Sequence, residues 1–335
     1  MADTLVYIGR RAVQLVIVLW VAGTINFAIP RMIPGDPIDT AFTALTISGG
    51  QQSVDVAALR VVWNERFGFD QPLTTQYVNY WIGIATGDLG VSVVSFPQPV
   101  TEKIGAAIPW TLGLLTVSTI IAFLIGTLAG ALLAWPSSPR VLRPIIAPFL
   151  LLSAIPYYLL AILLVFLFAA TLGWFPAAGG AGPTTILGWN MKSVLDIASH
   201  SILPALSIVL GAIGFWALGM RSLMVNVLGE DYIAYAESNG LSPRLIFLRY
   251  GMRNALVPQV TALALVLGTL VSGAVLVESI FNYPGLGGLL FKAILGKDIF
   301  VINGIVVLLI VTLAIGVFII DLLYPVLDPR IRHRR

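Results

Sequence analysis

Residues 299–323 read Ile299-Phe-Val-Ile-Asn-Gly-Ile-Val-Val-Leu-Leu-Ile-Val-Thr-Leu-Ala-Ile-Gly-Val-Phe-Ile-Ile-Asp-Leu-Leu323, with Asp321 as the single charged side chain. A helix needs roughly 20 apolar residues to cross the hydrocarbon core of a bilayer, and this run suffices. Working outward, five more stretches qualify, at about 12–29, 108–135, 145–172, 202–220 and 257–277. The first follows Arg10-Arg11 as a signal peptide would. Its apolar run is too long for an ordinary signal, however, and no clean small-x-small cleavage site precedes Pro30, so it reads as a retained helix. Hydrophobic residues make up 58% of the chain and charged ones 10%, with mean hydropathy +0.94. Soluble domains carry about 25% charged residues. The expected class is therefore an all-α polytopic membrane protein with six transmembrane helices.

Charge sets the expected orientation, because cytoplasmic loops gather Lys and Arg. With six spans, both termini share a side with the segments around 136–144 and 221–254, and that side holds twelve arginines. The opposite side holds seven basic and ten acidic residues. Both termini are thus expected in the cytoplasm, and the net charge of +3 reflects topology, not a nucleic-acid footprint. The chain divides into an N-terminus with the first span (1–29), an extracytoplasmic cap (30–107) and a five-helix core (108–335). In the cap, turn signals at Pro34-Gly35-Asp36-Pro37, Asp70-Gln71-Pro72 and Gly87-Asp88-Leu89-Gly90 separate short amphipathic helices. A second external loop, 173–200, is expected to be irregular, with His200 at a span boundary. Gly126 and Gly130 offer a small face for close helix contact. Pro148, Pro156 and Pro204 kink helices or mark their ends, and read as ordinary punctuation of membrane helices in preference to a moving hinge.

Several chemistries are excluded. The chain has no Cys, so disulfides and thiolate catalysis are absent. Its two histidines, His200 and His333, are too far apart in sequence for a paired-His metal motif. A membrane-embedded enzyme would need a nucleophile–base or metal constellation. An ion-coupled carrier would need charges deep in its spans, yet 145–172 and 257–277 contain none. No internal repeat suggests an inverted-repeat transporter.

The polar exception is the cytoplasmic segment 221–258. Asp231 to Asn239 reads as a short helix with Glu230 and Asp231 at its positive end. Spacing of i, i+3, i+4 puts Tyr232, Tyr235 and Ala236 on one face. Asn239-Gly240 ends the helix, since Gly takes the left-handed conformation at least cost. Ser242 can cap a second helix with Pro243 in its first turn. That helix carries Leu245, Leu248 and Met252 down one side, and Pro258 falls where the next span begins. On these residues alone, the segment reads equally as a structured loop with positive-inside bias or as a docking surface for a cytoplasmic partner.

This stretch resembles the EAA loop of ABC importer permeases, in the long form of the dipeptide/oligopeptide/nickel family. Gly229, Glu230, Asp231, Tyr232, Ala236, Gly240, Leu241, Arg253, Asn254, Ala255, Leu256 and Pro258 follow the family pattern, while Tyr235, Glu237 and Asn239 depart from it. Further motifs recur in order across the chain: Pro34–Pro37, Phe67-Gly68-Phe69-Asp70-Gln71-Pro72, Gly87-Asp88-Leu89-Gly90-Val91-Ser92, Glu278-Ser-Ile-Phe-Asn-Tyr-Pro-Gly-Leu-Gly287, and Asp321-Leu-Leu-Tyr324 with Asp328-Pro329-Arg330. The chain is identified as resembling a B-type subunit.

The resemblance implies a type I importer permease fold with the cap inserted after helix 1. The implied partners are a homologous second permease, two cytoplasmic ATPase subunits that hold ATP and Mg, and an extracytoplasmic solute-binding protein, all at a bacterial or archaeal plasma membrane. This chain has no Gly-x-x-x-x-Gly-Lys-Ser/Thr loop for nucleotide phosphates, so no cofactor is expected within it. Peptides are the implied cargo. Oligosaccharides, nickel complexes and opine-like solutes are the alternatives, and no substrate-binding residue is nominated.

The implied coupling residues are Glu230, Asp231, Tyr232, Tyr235, Ala236, Gly240 and Leu241. Ala236 is read either as a site of close partner approach or as a tolerant helix position, and Glu230 and Asp231 either as partner contacts or as helix-terminus charges. Arg249 and Arg253 read as topology and local packing. Two acids near the membrane, Glu278 and Asp321, read as structural partners of Lys292 or Arg330, or as gating groups.

Overall fold

The computed structural model describes residues 2–32, 56–268, 270 and 274–327. The motif at 34–37, Arg330 and His333 lie outside the described residues. All elements are helical apart from an isolated bridge between Val91 and Pro99. The chain forms two compact units, Met1–Pro109 with Leu289–Arg335 and Trp110–Gly288.

In the first unit, α1 (Ala2–Met32) and α13 (Ile299–Leu327) pair antiparallel. Tyr7 donates to the Asp321 carbonyl at 2.9 Å at one end, and Asn26 donates to the Asn303 carbonyl at 3.2 Å at the other. Between them in sequence come α2 (Val56–Phe67) and α3 (Leu73–Thr86). Gly87 closes α3 at φ 78°, in the region where a side chain is strained. Helix α3 lies against α1 through aromatic faces: Trp81 occupies the space a Cβ on Gly23 would need, and Phe27 contacts the rings of Tyr77 and Tyr80. The expected short helices are present and packed on the spans, through Phe67 on Phe300 and through the α3 aromatics on Phe27, although α2 has little amphipathic character. Buried Asp298 binds the Ser92 hydroxyl and accepts from the backbone N–H groups of Val93 and Val94, both at 3.3 Å, which anchors the Gly87–Ser92 turn.

In the second unit the long helix α7 (Met191–Leu228) is central. Its cap is Asn190, whose side chain accepts from Ser193 N–H at 2.9 Å, so the helix begins nine residues before His200. The expected irregular loop to residue 200 is therefore helical from Met191, and His200 sits inside the helix with Nδ1 2.9 Å from the Asp196 carbonyl. Helix α4 (Val100–Ala134), which begins in the first unit, presents Gly126 and Gly130 to α7. A Cβ on Gly126 would come within 2.7 Å of the Ile213 carbonyl, so the two backbones approach as closely as the small residues allow.

The expected span at 145–172 is two helices, α5 (Leu142–Leu152) and α6 (Tyr157–Leu164), the latter running on as a π-helical turn, Val165–Thr171. The two halves are bent by 103°. Pro156 supplies the reason: it denies an α conformation to the residue before it and starts the second helix at φ −53°. Pro156 thus marks a helix start at a bend, as its reading as punctuation expects.

Four unbroken helices are long and apolar enough to span: Val6–Met32, Val100–Ala134, Met191–Leu228 and Ile299–Ile319. The bent pair makes up to five. Helix α10 (Arg253–Gly268) begins the expected span at 257–277, which then runs into residues 269 and 271–273, outside the described set. It is followed by α11 (Val275–Ile280) and α12 (Leu286–Leu295). Among the described residues the count of six spans is not reached.

Candidate functional site

Helix α7 ends at Leu228, and α8 (Asp231–Ser238) starts after the extended residue Glu230. The end of α8 is fixed by backbone alone. Gly240 N–H donates to Glu237 O at 2.9 Å and Leu241 N–H to Ala236 O at 3.2 Å, with Gly240 at φ +72°. This pair of bonds is a Schellman motif, and it satisfies carbonyls that the helix itself leaves orphaned. Leu241 then packs on the cluster of Ile233, Ala236 and Ile246, with Trp135, Leu228 and Tyr250 around it.

That cluster corrects the expected face. Ile233 and Ala236 are both 3% exposed and point inward, whereas Tyr235 is 74% and Tyr232 38% exposed. A hydrophobic residue at position 233 pairs with 236 at i, i+3, and burial of that pair rotates the tyrosines outward. Ala236 packs in this cluster with Ile246 of the chain's own π-helical segment. The outer surface of α8 presents Glu230, Asp231, Tyr232, Tyr235 and Glu237, so it is acidic and aromatic. Asn254 Nδ2 donates to the Tyr232 hydroxyl at 3.0 Å and to the Tyr250 carbonyl at 2.9 Å, which holds one of the two tyrosines in place.

The expected second helix is continuous with the helix that follows. Residues run from α9 (Pro243–Leu245) through a π-helical stretch, Ile246–Met252, into α10. Ser242 occupies the cap position without a side-chain bond, and Pro258 lies inside α10 rather than at its start. Wider π turns alter which residues face inward. Ile246 and Gly251 are buried while Leu248 is 47% exposed, so the expected Leu245–Leu248–Met252 stripe does not form. Arg249 and Arg253 are both exposed.

Sequence reading missed Gln259, which is 4% exposed and donates from Nε2 to the Trp216 carbonyl at 2.9 Å and the Thr127 hydroxyl at 3.4 Å. It ties α10 to α7 and α4 one turn after Arg253 and Asn254, and an amide in an apolar stretch was the only available signal.

Both acids have structural partners, as the first of their two readings expects. Glu278 is fully buried. Its carboxylate accepts from the Thr111 hydroxyl at 2.8 Å and from Gly288 N–H at 3.0 Å. Thr111 in turn accepts from Leu286 N–H at 2.7 Å, so one carboxylate and one hydroxyl organise the whole 278–288 turn. A Cβ on Gly287 would lie 2.6 Å from Val275 Cα, which explains a small residue beside the acid. Asp321 forms an ion pair with Arg11 at 3.1 Å, on the neighbouring helix. Arg330, the nominated partner, lies outside the described residues. Among the described residues no group of three His, Cys, Asp or Glu side chains could hold a metal ion.

Membrane-length helices, a helix pair bent at a proline and a short helix displayed after the long α7 define a multi-pass membrane protein. Residues 122–333 match the model of the binding-protein-dependent transport system inner membrane component family. The chain belongs to that family. It is 35% identical to the di/tripeptide transport system permease protein DppB of Pseudomonas aeruginosa, over 98% of this chain and 99% of that protein. It is 32% identical to the oligopeptide transport system permease protein AppB of Bacillus subtilis and 32% identical to the glutathione transport system permease protein GsiC of Salmonella choleraesuis. Each of those alignments again covers 98% of this chain and 99% of the relative.

Proposed function

We propose that this permease subunit carries peptides across a bacterial or archaeal plasma membrane, paired with a second permease and driven by two cytoplasmic ATPase subunits. An extracytoplasmic binding protein would deliver the cargo. Peptides are favoured over the alternative solutes because the similar proteins named above are permeases for dipeptides, tripeptides, oligopeptides and glutathione. The surface of α8 is the observation that carries the coupling assignment. Its tyrosines and acids project from a helix whose own base is buried and whose end is locked by backbone bonds. A rigid body of this kind can pass a partner's displacement to α7 and α10 without deforming, as a shear or hinge transition requires. In this reading Glu230, Asp231, Tyr232 and Tyr235 meet the ATPase, while Ala236, Gly240 and Leu241 hold the helix in position. Hydrolysis of ATP belongs to the partner, and both termini face the cytoplasm with it.

The test is uptake into vesicles that contain the full importer, with ATP supplied or withheld on the ATPase side. Uptake should require ATP, and Gly240→Trp should abolish it while membrane insertion persists. Uptake by this chain alone, indifferent to ATP, would sink the assignment.

A further inference from the structure

The first unit holds a cavity of ≈ 380 Å³ that the transport reading does not use. Its size falls within the roughly 300–1,000 Å³ of small-ligand sites. Its walls come from the last turn of α1, from α3 and the turn after it, and from the first turns of α13. Antiparallel pairing of α1 and α13 brings those helix ends to one membrane face, opposite Arg10 and Arg11. The span Val6–Met32 has 27 residues, about 40 Å of helix against a hydrocarbon core of about 30 Å. Arg31, near its end, therefore sits at headgroup level.

Arg31 is incompletely used. Its Nε and Nη2 donate to Gln76 Oε1, both at 3.2 Å, and Nη1 donates to the Phe27 carbonyl at 2.8 Å. The guanidinium lies 3.6 Å from the centroid of the Phe27 ring, which fixes its plane. A guanidinium carries five N–H donors, so two have no partner among the described residues, and no described carboxylate lies within ion-pair range. On another wall stands Asn303, 8% exposed, whose Oδ1 is buried without a hydrogen bond. Buried polar atoms are seldom left unpaired. Asp88 also lines the cavity, with Oδ1 accepting from Gly90 N–H at 3.0 Å and Oδ2 showing no described bond. The cavity thus offers spare donors for an anion, a buried acceptor and a spare carboxylate oxygen for a cation. An exposed apolar side chain, Ile82, stands in its lining.

We propose that this cavity binds the phosphoethanolamine headgroup of a membrane phospholipid. The phosphodiester meets Arg31, whose planar fork suits phosphate oxygens. The ammonium meets Asp88, and the acyl chains follow the apolar surface at Ile82. A free phosphate would use the guanidinium but neither the carboxylate nor that apolar surface. The site is independent of the transport assignment, because its test reads lipid occupancy and not uptake.

The experiment is native mass spectrometry of the importer purified in detergent, delipidated and then titrated. The separate titrants are phosphatidylethanolamine, phosphatidylglycerol, phosphatidylcholine, soluble phosphoethanolamine and inorganic phosphate. Phosphatidylethanolamine should give a retained adduct, and the two soluble compounds none at equal concentration. Arg31→Gln should lower that occupancy about tenfold or more, the value of a charge-assisted hydrogen-bond pair. Asp88→Asn should erase the preference over phosphatidylglycerol. Asn79→Trp fills the cavity from an exposed position on α3 and should exclude the lipid even if Arg31→Gln inserts poorly. Equal retention of phosphatidylglycerol by the unaltered protein would overturn the headgroup assignment. Adducts that survive both Arg31→Gln and Asn79→Trp would overturn the site.

Discussion

Two turns in this molecule solve opposite problems. The turn at 278–288 directs its chemistry inward: Glu278, Thr111 and the backbone amides of Leu286 and Gly288 satisfy one another in a fully buried knot. The turn at 238–242 settles its geometry with two backbone bonds and leaves Tyr232, Tyr235 and the acids of α8 facing outward. A side chain consumed in building the fold is unavailable to a partner, whereas one displayed on a rigid, independently fixed helix is free to meet one. The contrast separates Glu278 as a structural acid from the α8 surface as the proposed docking element, although both stood together as candidates in the sequence.

The largest expected effect lies in the buried knot. Glu278→Ala leaves the Thr111 hydroxyl and Gly288 N–H without an acceptor, each costing about 1–3 kcal/mol. Thermal unfolding in detergent should show a loss of about 2–6 kcal/mol, and wild-type stability would break the comparison at its inward end. Next comes Gly130→Val, which forces a branched side chain onto the α7 backbone at Ala217. Overpacking of this kind costs about 1–3 kcal/mol, measurable in the same assay.

Gly240→Ala should cost about 1 kcal/mol, because the penalty comes from φ +72° alone and no atom lies within 4 Å of the added Cβ. A loss as large as that of Glu278→Ala would mean that the α8 turn depends on packing after all. Tyr235→Ala should be smallest in stability, within about 0.5 kcal/mol as for exposed sites, yet it should reduce ATP-dependent uptake severalfold. Loss of stability in step with uptake would erase the distinction between the two turns.

Much of this architecture was legible because long apolar runs and the Asn239-Gly240 stop are local signals. The end of α8 depends on Gly240 and its immediate neighbours, so its position follows from the chain itself. Its facing does not. Ile233 turns inward against Ile246 and Trp135, and helical spacing alone ranks neither face, so grouping Ala236 with the tyrosines was the natural error. The π-helical stretch, Ile246–Met252, broke the regular period that the Leu245–Leu248–Met252 stripe assumed. Partners distant in sequence were out of reach altogether. Glu278 meets Thr111 across 167 positions, and Asp321 meets Arg11 from the other end of the chain. The bend at Pro156 was visible as a residue but not as a 103° angle, since many prolines in membrane helices bend them far less.

The natural absence of cysteine makes the central claim directly measurable. Tyr235→Cys introduces a single thiol on the outer face of α8, and Ala236→Cys places one a residue away on the buried face. In membranes containing the whole importer, a short thiol-to-amine cross-linker should join Tyr235→Cys to the ATPase subunit, in a yield that changes when ATP is added. Ala236→Cys should give no such product. An ATPase adduct absent from Tyr235→Cys but formed by a control thiol at Ser138, in the segment 136–144 expected on the same side of the membrane as 221–254, would contradict the assignment of α8 as the coupling element.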